Sequence, residues 1–138
     1  MAHQRILEFA TFDRGSRDIT TAIADVVAQS GVRCGVAHAF VQHTGCSLII
    51  TEHADPSVRH GLETIIRRLA PDGDPAYTYH AEGPDAMAAY ARSMLTSTGL
   101  SVPVGDGRLL LGASQGIFLW EHRVAEQQRS VVVTVIGD

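Results

Sequence analysis

From residue 100 to the end of the chain, four strand-like runs follow one another with only turns between them: 100–104, 108–111, 117–122 and 130–136. A parallel pair of strands needs a crossover of a dozen or more residues, so this half of the chain favours an antiparallel arrangement. The Gly105-Asp106-Gly107 turn has the residues a tight hairpin demands. The last run, Val131-Val132-Val133-Thr134-Val135-Ile136, is entirely β-branched and suits a pleated, buried strand.

The first half alternates helix and strand signals. Residues 5–12 place Leu7 and Phe9 on one side and Glu8 on the other, which is strand periodicity, and Asp13-Arg14-Gly15-Ser16 then turns the chain. From about Asp18, the residues Ile19, Ala22, Ile23, Val26 and Val27 recur at helical spacing up to Ser30-Gly31. Residues 35–43 and 47–52 read as two strands joined through Thr44-Gly45-Cys46, either as a hairpin or as a bulged continuation. Asp55 caps a second helix with Pro56 at its first position and an apolar stripe of Val58, Leu62, Ile65, Ile66 and Leu69, ended by Pro71-Asp72-Gly73. Residues 72–83 have no period and form a long loop. Gly83-Pro84-Asp85 opens a third helix with Met87, Tyr90, Ala91, Met94 and Leu95 on one face, stopping near Gly99. The order β-α-β-β-α-loop-α-β-β-β-β predicts one α+β domain over residues 1–138, mainly antiparallel sheet with about three helices.

The charge pattern excludes two partner classes. Net charge is −4, and the 11 basic residues are all arginines with no run longer than Arg67-Arg68, so nucleic acid is not expected as a partner. Any cationic group that holds a phosphate here is a guanidinium, suited to two-pronged contact. No apolar stretch reaches bilayer length and the start MAHQRILEFATF lacks a leader pattern, so a cytoplasmic protein with no membrane partner is expected. Cys34 and Cys46 are expected as reduced thiols, Cys34 as a packing residue. Cys46 is a nucleophile only if its pKa is depressed.

Several residues have the chemistry for a site. His43 stands where a strand meets the small Thr44-Gly45-Cys46-Ser47 turn, whose amides can face an anion. Glu52 and His53 precede a helix start, where anions are also favoured, while Asp55 has a sufficient explanation as the cap. The loop offers His80, Glu82 and Asp85, and the following strands offer Gln115, Trp120, Glu121, His122 and Arg123. His43, His80 and His122 sit at strand ends or in a loop and can converge as metal ligands or as an acid/base set, although their spacing matches no metal-finger pattern. His38 alternates with Phe40 within a strand and needs no functional reading.

These segments resemble, in order, the YjbQ-like family, the group labelled secondary thiamine-phosphate synthases. The resemblance rests on His43-Thr44-Gly45-Cys46-Ser47, Glu52-His53-Ala54-Asp55-Pro56, His80-Ala81-Glu82-Gly83-Pro84-Asp85, Gly107-Arg108-Leu109, residues 115–123 (Gln-Gly-Ile-Phe-Leu-Trp-Glu-His-Arg) and the closing strand. It implies a homotrimer with the shared polar residues in one pocket near the subunit contacts. It also implies an activity joining a pyrimidine pyrophosphate to thiazole phosphate with release of pyrophosphate. On that reading His43, Glu52, His80, Asp85 and His122 are catalytic, and Thr44, Ser47, Gln115, Trp120 and Arg123 bind the phosphorylated substrate. His43, His80 and His122 would hold a divalent metal of unassigned identity. Trp120 is expected beside the site because it shares a strand face with His122. His53, Ala86 and Tyr90 depart from the Asn, Asp and His usual in that family, and Gly45 replaces a Ser or Thr. A metal-dependent hydrolase or phosphatase using the three histidines is the first alternative, and a phosphate-binding trimer without turnover the second.

Overall fold

In the computed structural model, which describes residues 1–138, eight strands and three helices follow in the order β1 (Ala2–Thr11), β2 (Gly15–Asp18), α1 (Thr20–Ser30), β3 (Gly35–Val41), β4 (Cys46–Glu52), α2 (Pro56–Leu69), α3 (Ala86–Leu95), β5 (Gly99–Gly105), β6 (Arg108–Leu109), β7 (Gln115–Glu121) and β8 (Gln127–Gly137). They make two antiparallel sheets, ordered β1-β8-β3-β5-β6 and β2-β7-β4. The α+β class, the antiparallel pairing and the three helices agree with the sequence reading.

The sheets face each other across one apolar core. Val131, Val133 and Val135 of β8 are fully buried against Ala37, Ala39 and Val41 of β3, and Ile117 and Leu119 of β7 meet them with Leu48 of β4. Each fully buried aliphatic side chain contributes roughly 1.5–3 kcal/mol. Helix α1 adds Ile23, Val26 and Val27 to the same core and ends at Gly31, whose φ of 74° is the left-handed cap that residue supplies. Asp55 caps α2 by accepting from the Ser57 amide at 2.9 Å. The hairpin between β5 and β6 turns through Asp106 and Gly107, both at positive φ, as a tight reverse turn requires.

Four expectations are corrected. Gly15 and Ser16, read as the end of a turn, and Asp18, read as the start of the first helix, lie in β2, because the edge of β7 offers them a ladder that local propensity does not reveal. Strands β3 and β4 are no hairpin: residues 42–45 carry the chain from the larger sheet to the smaller, and the two strands pair elsewhere. The apolar stripe of α2 is largely uncovered, with Ile66 buried but Ile65 and Leu69 exposed. Cys34 is exposed rather than packed, while Cys46 is buried; both thiols are free. No helix is long and apolar enough to cross a membrane.

Strand parity then decides where the charges go. On β8 the inward positions are Arg129, Val131, Val133 and Val135, and on β7 they are Ile117, Leu119 and Glu121. A cation and an anion therefore enter the inter-sheet space from opposite sheets at one end, and this end carries the cleft described next.

Candidate functional site

Arg129 and Glu121 meet at the end of the core. Arg129 Nε donates to Glu121 Oε1 and Nη2 to Oε2, both at 2.6 Å, a two-pronged pair with Arg129 about 5% and Glu121 about 1% exposed. The Thr11 hydroxyl also donates to Oε1, and the amides of His122 and Arg123 donate to Oε2. With five donors on its two oxygens, Glu121 fixes the outward-turned part of the Arg129 guanidinium. Burial opposes the Arg129 charge, and the bonds to Glu121 outweigh it, leaving the pKa raised.

Above this pair lies an open cleft of about 560 Å³, lined by the crossover residues 40–45 together with Glu82, Tyr90, Thr98, Arg123, Gln127 and Arg129. It continues into a hollow of about 370 Å³ toward Ser93 and Met94, with His43, Thr44, Tyr90 and Thr98 shared between the two. Arg123 is braced from the far side: its Nε donates to Asp85 Oδ2 at 3.0 Å and its Nη2 to the Glu82 carbonyl at 3.0 Å. Burial pushes the Asp85 carboxyl up, but the bonds from the Val124 amide and Arg123 prevail and hold it below its ordinary value. Gly45 allows the close approach of both cations, since a Cβ there would lie 2.9 Å from Arg129 Nη2 and 3.0 Å from Arg123 Cγ.

His43 accepts the Ser130 amide at Nε2, at 2.8 Å. Burial first and the Arg129 charge second lower its pKa, so the ring is neutral at pH 7 and carries its proton on Nδ1. It is thus a hydrogen-bond donor at the edge of the cleft.

The remaining predicted residues lie elsewhere. His122 is fully buried on the opposite face of β7, its Nε2 paired with Ser47 Oγ at 2.8 Å. Ser47 is equally buried and does not line the cleft. Trp120 does share a face with His122, ring centroids 5.3 Å apart, but this face lies under α2, where the Trp120 indole donates to Glu63 Oε2. The aromatic rings at the cleft are Phe40 and Tyr90. Glu52 and Gln115 are paired at the far end of the β4–β7 ladder, six residues from Cys46 and Glu121 and so roughly 20 Å along the strands. His80 is exposed on the loop, and its ring is not part of the cleft wall. Burial drives the Cys46 thiol up to about 12, which removes it as a nucleophile at neutral pH.

The three histidines are consequently not brought together within one chain, and no group of three His, Cys, Asp or Glu side chains is placed to hold a metal ion. The donor set agrees: one imidazole spends its lone pair on an amide, one is sealed in the interior and one stands in solvent.

Arg129 was not predicted for the site and Glu121 was a candidate given no role; Tyr90 and Gln127 were not predicted for it either. A signal for the first two exists in the sequence. Each is a charge at an inward position of an otherwise apolar strand, which is uncommon unless the charge is paired. Finding one on each of two strands implies the partnership.

The open end of this small α+β sandwich presents two braced guanidiniums, a neutral imidazole and a tyrosine. The chain belongs to the YjbQ family: the model of the UPF0047 protein YjbQ-like family matches residues 5–138. It is 44% identical to the UPF0047 protein sll1880 of Synechocystis sp. over 136 residues, 99% of this chain and 92% of that one. It is 35% identical to the UPF0047 protein YjbQ of Escherichia coli O157:H7 across the whole of both chains. The crystal structure of the conserved hypothetical protein TT1486 from Thermus thermophilus superimposes with a TM-score of 0.85 at 32% identity, covering 96% of this chain and 99% of that one.

Proposed function

We propose that the cleft binds the phosphoryl end of a small molecule, and that the protein is a thiamine-phosphate synthase-like transferase joining a pyrimidine pyrophosphate to thiazole phosphate. The observation that carries this reading is the pair of anchored arginines, Arg123 and Arg129, at one cleft wall. In such a reaction a thiazole nitrogen forms a C–N bond as the C–O bond to pyrophosphate breaks, so the demand falls on the departing negative charge rather than on a base. Arg129 and Arg123, held in place by Glu121 and Asp85, offer it donors, and His43 Nδ1–H adds a neutral donor. The hollow beside Tyr90 and Met94 accommodates the less polar part of a substrate.

The test is pyrophosphate release with each precursor alone and with both together. Release that needs both precursors, and that falls by on the order of 10²-fold in Arg129→Gln, is the expected result. Release from one precursor alone would identify a hydrolase instead, and tight binding without release would leave a binding protein.

We also infer that the protein works as a homotrimer. Ile6, Val36, Phe40 and Ile136 lie exposed on the outer face of the larger sheet, which no helix of this chain covers, and Phe40 also borders the cleft. A second copy on that face would complete the wall of the cleft. Light scattering at micromolar concentration should give three times the monomer mass, and a stable monomer would remove the inference.

A further inference from the structure

An anion entering the cleft meets carboxylates already in place. Arg129 is matched by Glu121, and Arg123 by both Asp85 and Glu82, so two guanidiniums face three carboxylates. As folded, this end of the molecule offers no net positive charge. Glu121 is buried with five donors on it, and Asp85 Oδ2 accepts from the Val124 amide as well as from Arg123. Glu82 differs. Its side chain is 49% exposed, with Oε2 at 3.6 Å from Arg123 Nη1, on the loop just before Gly83, whose φ is 102°. Two phenols hold it: the Tyr79 hydroxyl donates to Oε1 at 2.6 Å and the Tyr90 hydroxyl to Oε2 at 2.9 Å. Those two bonds, in that order, keep its pKa low, so it is charged at neutral pH.

We propose that Glu82 is a built-in competitor in the cleft: its carboxylate occupies Arg123 and is displaced by an entering phosphoryl or pyrophosphoryl group. The proposal rests on the phosphate-binding reading above. A ligand carboxylate would trade one monoanion for another at Arg123 while giving up the two phenol bonds. A phosphoryl group brings up to two charges and three acceptor oxygens, enough to engage Arg123 and Arg129 together. Because the competitor must leave first, the apparent affinity of every anion is lowered by the fraction of molecules with Glu82 displaced. Displacement also removes the side-chain anchor of residues 80–83, so ligand binding loosens this loop.

The experiment is calorimetric titration of pyrophosphate and of malonate into the wild-type protein, Glu82→Gln and Tyr79→Phe, with hydrogen exchange followed over residues 77–86. Glu82→Gln should bind pyrophosphate on the order of fivefold more tightly, the size of one half-exposed ion pair, and malonate should gain by no more than that, since the displacement cost is common to every anion that takes Arg123. Tyr79→Phe, which removes one bond to Glu82 from outside the cleft wall, should move both affinities the same way by less. Pyrophosphate should speed exchange in this loop in the wild type. Unchanged or weaker pyrophosphate binding in Glu82→Gln, or slowed exchange, would overturn the proposal while leaving phosphate binding standing. No pyrophosphate binding by either protein would remove the phosphate reading and this proposal with it.

Discussion

Glu121→Gln is expected to destabilise the protein by about 3–5 kcal/mol, the cost of leaving one partner of a buried ion pair unmatched. The substitution keeps the shape of the side chain and replaces one acceptor oxygen with a donor NH₂. At Oε2 that group would face the amides of His122 and Arg123 and Arg129 Nη2, three donors with nowhere else to go. Turning the amide round moves the conflict to the Thr11 hydroxyl and Arg129 Nε. A domain of this size has about 5–15 kcal/mol in total, so the loss is a large share of it. Urea denaturation checks the figure, with Thr11→Val as the comparison, since that change removes a single bond worth about 1 kcal/mol. The same variant should bind pyrophosphate on the order of tenfold more weakly, because Arg129 loses the brace that aims it. A Glu121→Gln protein as stable as the wild type would show that the pair neither holds the two sheets together nor orients the cleft.

Acid should destabilise the fold well above the carboxylate range, through His122. Burial above all, then the charges of Arg92, Arg14 and Arg129, depress its pKa from 6.5 to about 3. The sign follows from linkage. The unfolded chain takes up a proton at His122 below pH 6.5 and the folded chain does not, so this contribution is complete above that pH. It is lost as pH falls toward 3, at about 1.4 kcal/mol per pH unit. His43, also depressed, adds to the same trend. The carboxylates with lowered pKa values, Asp55, Glu82 and Asp85, lose their contributions only at lower pH, below about 4.5. The interval from pH 6.5 to 4.5 therefore isolates the histidines. Stability from urea denaturation over that interval should fall by roughly 2–3 kcal/mol in the wild type and much less in His122→Gln, which retains a hydrogen-bonding group for Ser47. Parallel curves for the two proteins would mean that His122 takes up its proton in the folded state without penalty.

The same histidine illustrates how far residue type leads. His43, His80 and His122 lie in segments with polar neighbours, and residue type alone treats them alike. The fold gives them three different environments: the cleft edge, solvent and the interior. The difference between His122 and Arg123 is one position at the end of β7, which is enough to turn one under α2 and let the other reach the cleft. Trp120 obeyed the parity argument and still missed the cleft, because parity says which residues share a face and not which face holds the ligand.

What the sequence determined by itself is what depends on neighbours a few residues away. The β-branched run of β8, the turn at Asp106-Gly107, the cap at Asp55 and the stop at Gly31 are all local, and each stands where its residues require. The hairpin of β5 and β6 follows from its turn, whereas β7 pairs with neither β6 nor β8 and joins the other sheet. Tertiary structure decided everything that depends on which strand finds which edge. Gly15–Asp18 became a strand because β7 had an edge to offer, and β3 and β4 parted into different sheets although only four residues separate them. That separation is what makes the cleft, since the crossover through His43 and Thr44 lies over the one place where Arg129 from one sheet meets Glu121 from the other. The two charges are eight residues apart on consecutive strands of different sheets, and only the closing of the sandwich sets them 2.6 Å apart in a dry interior, where a charge must be paired.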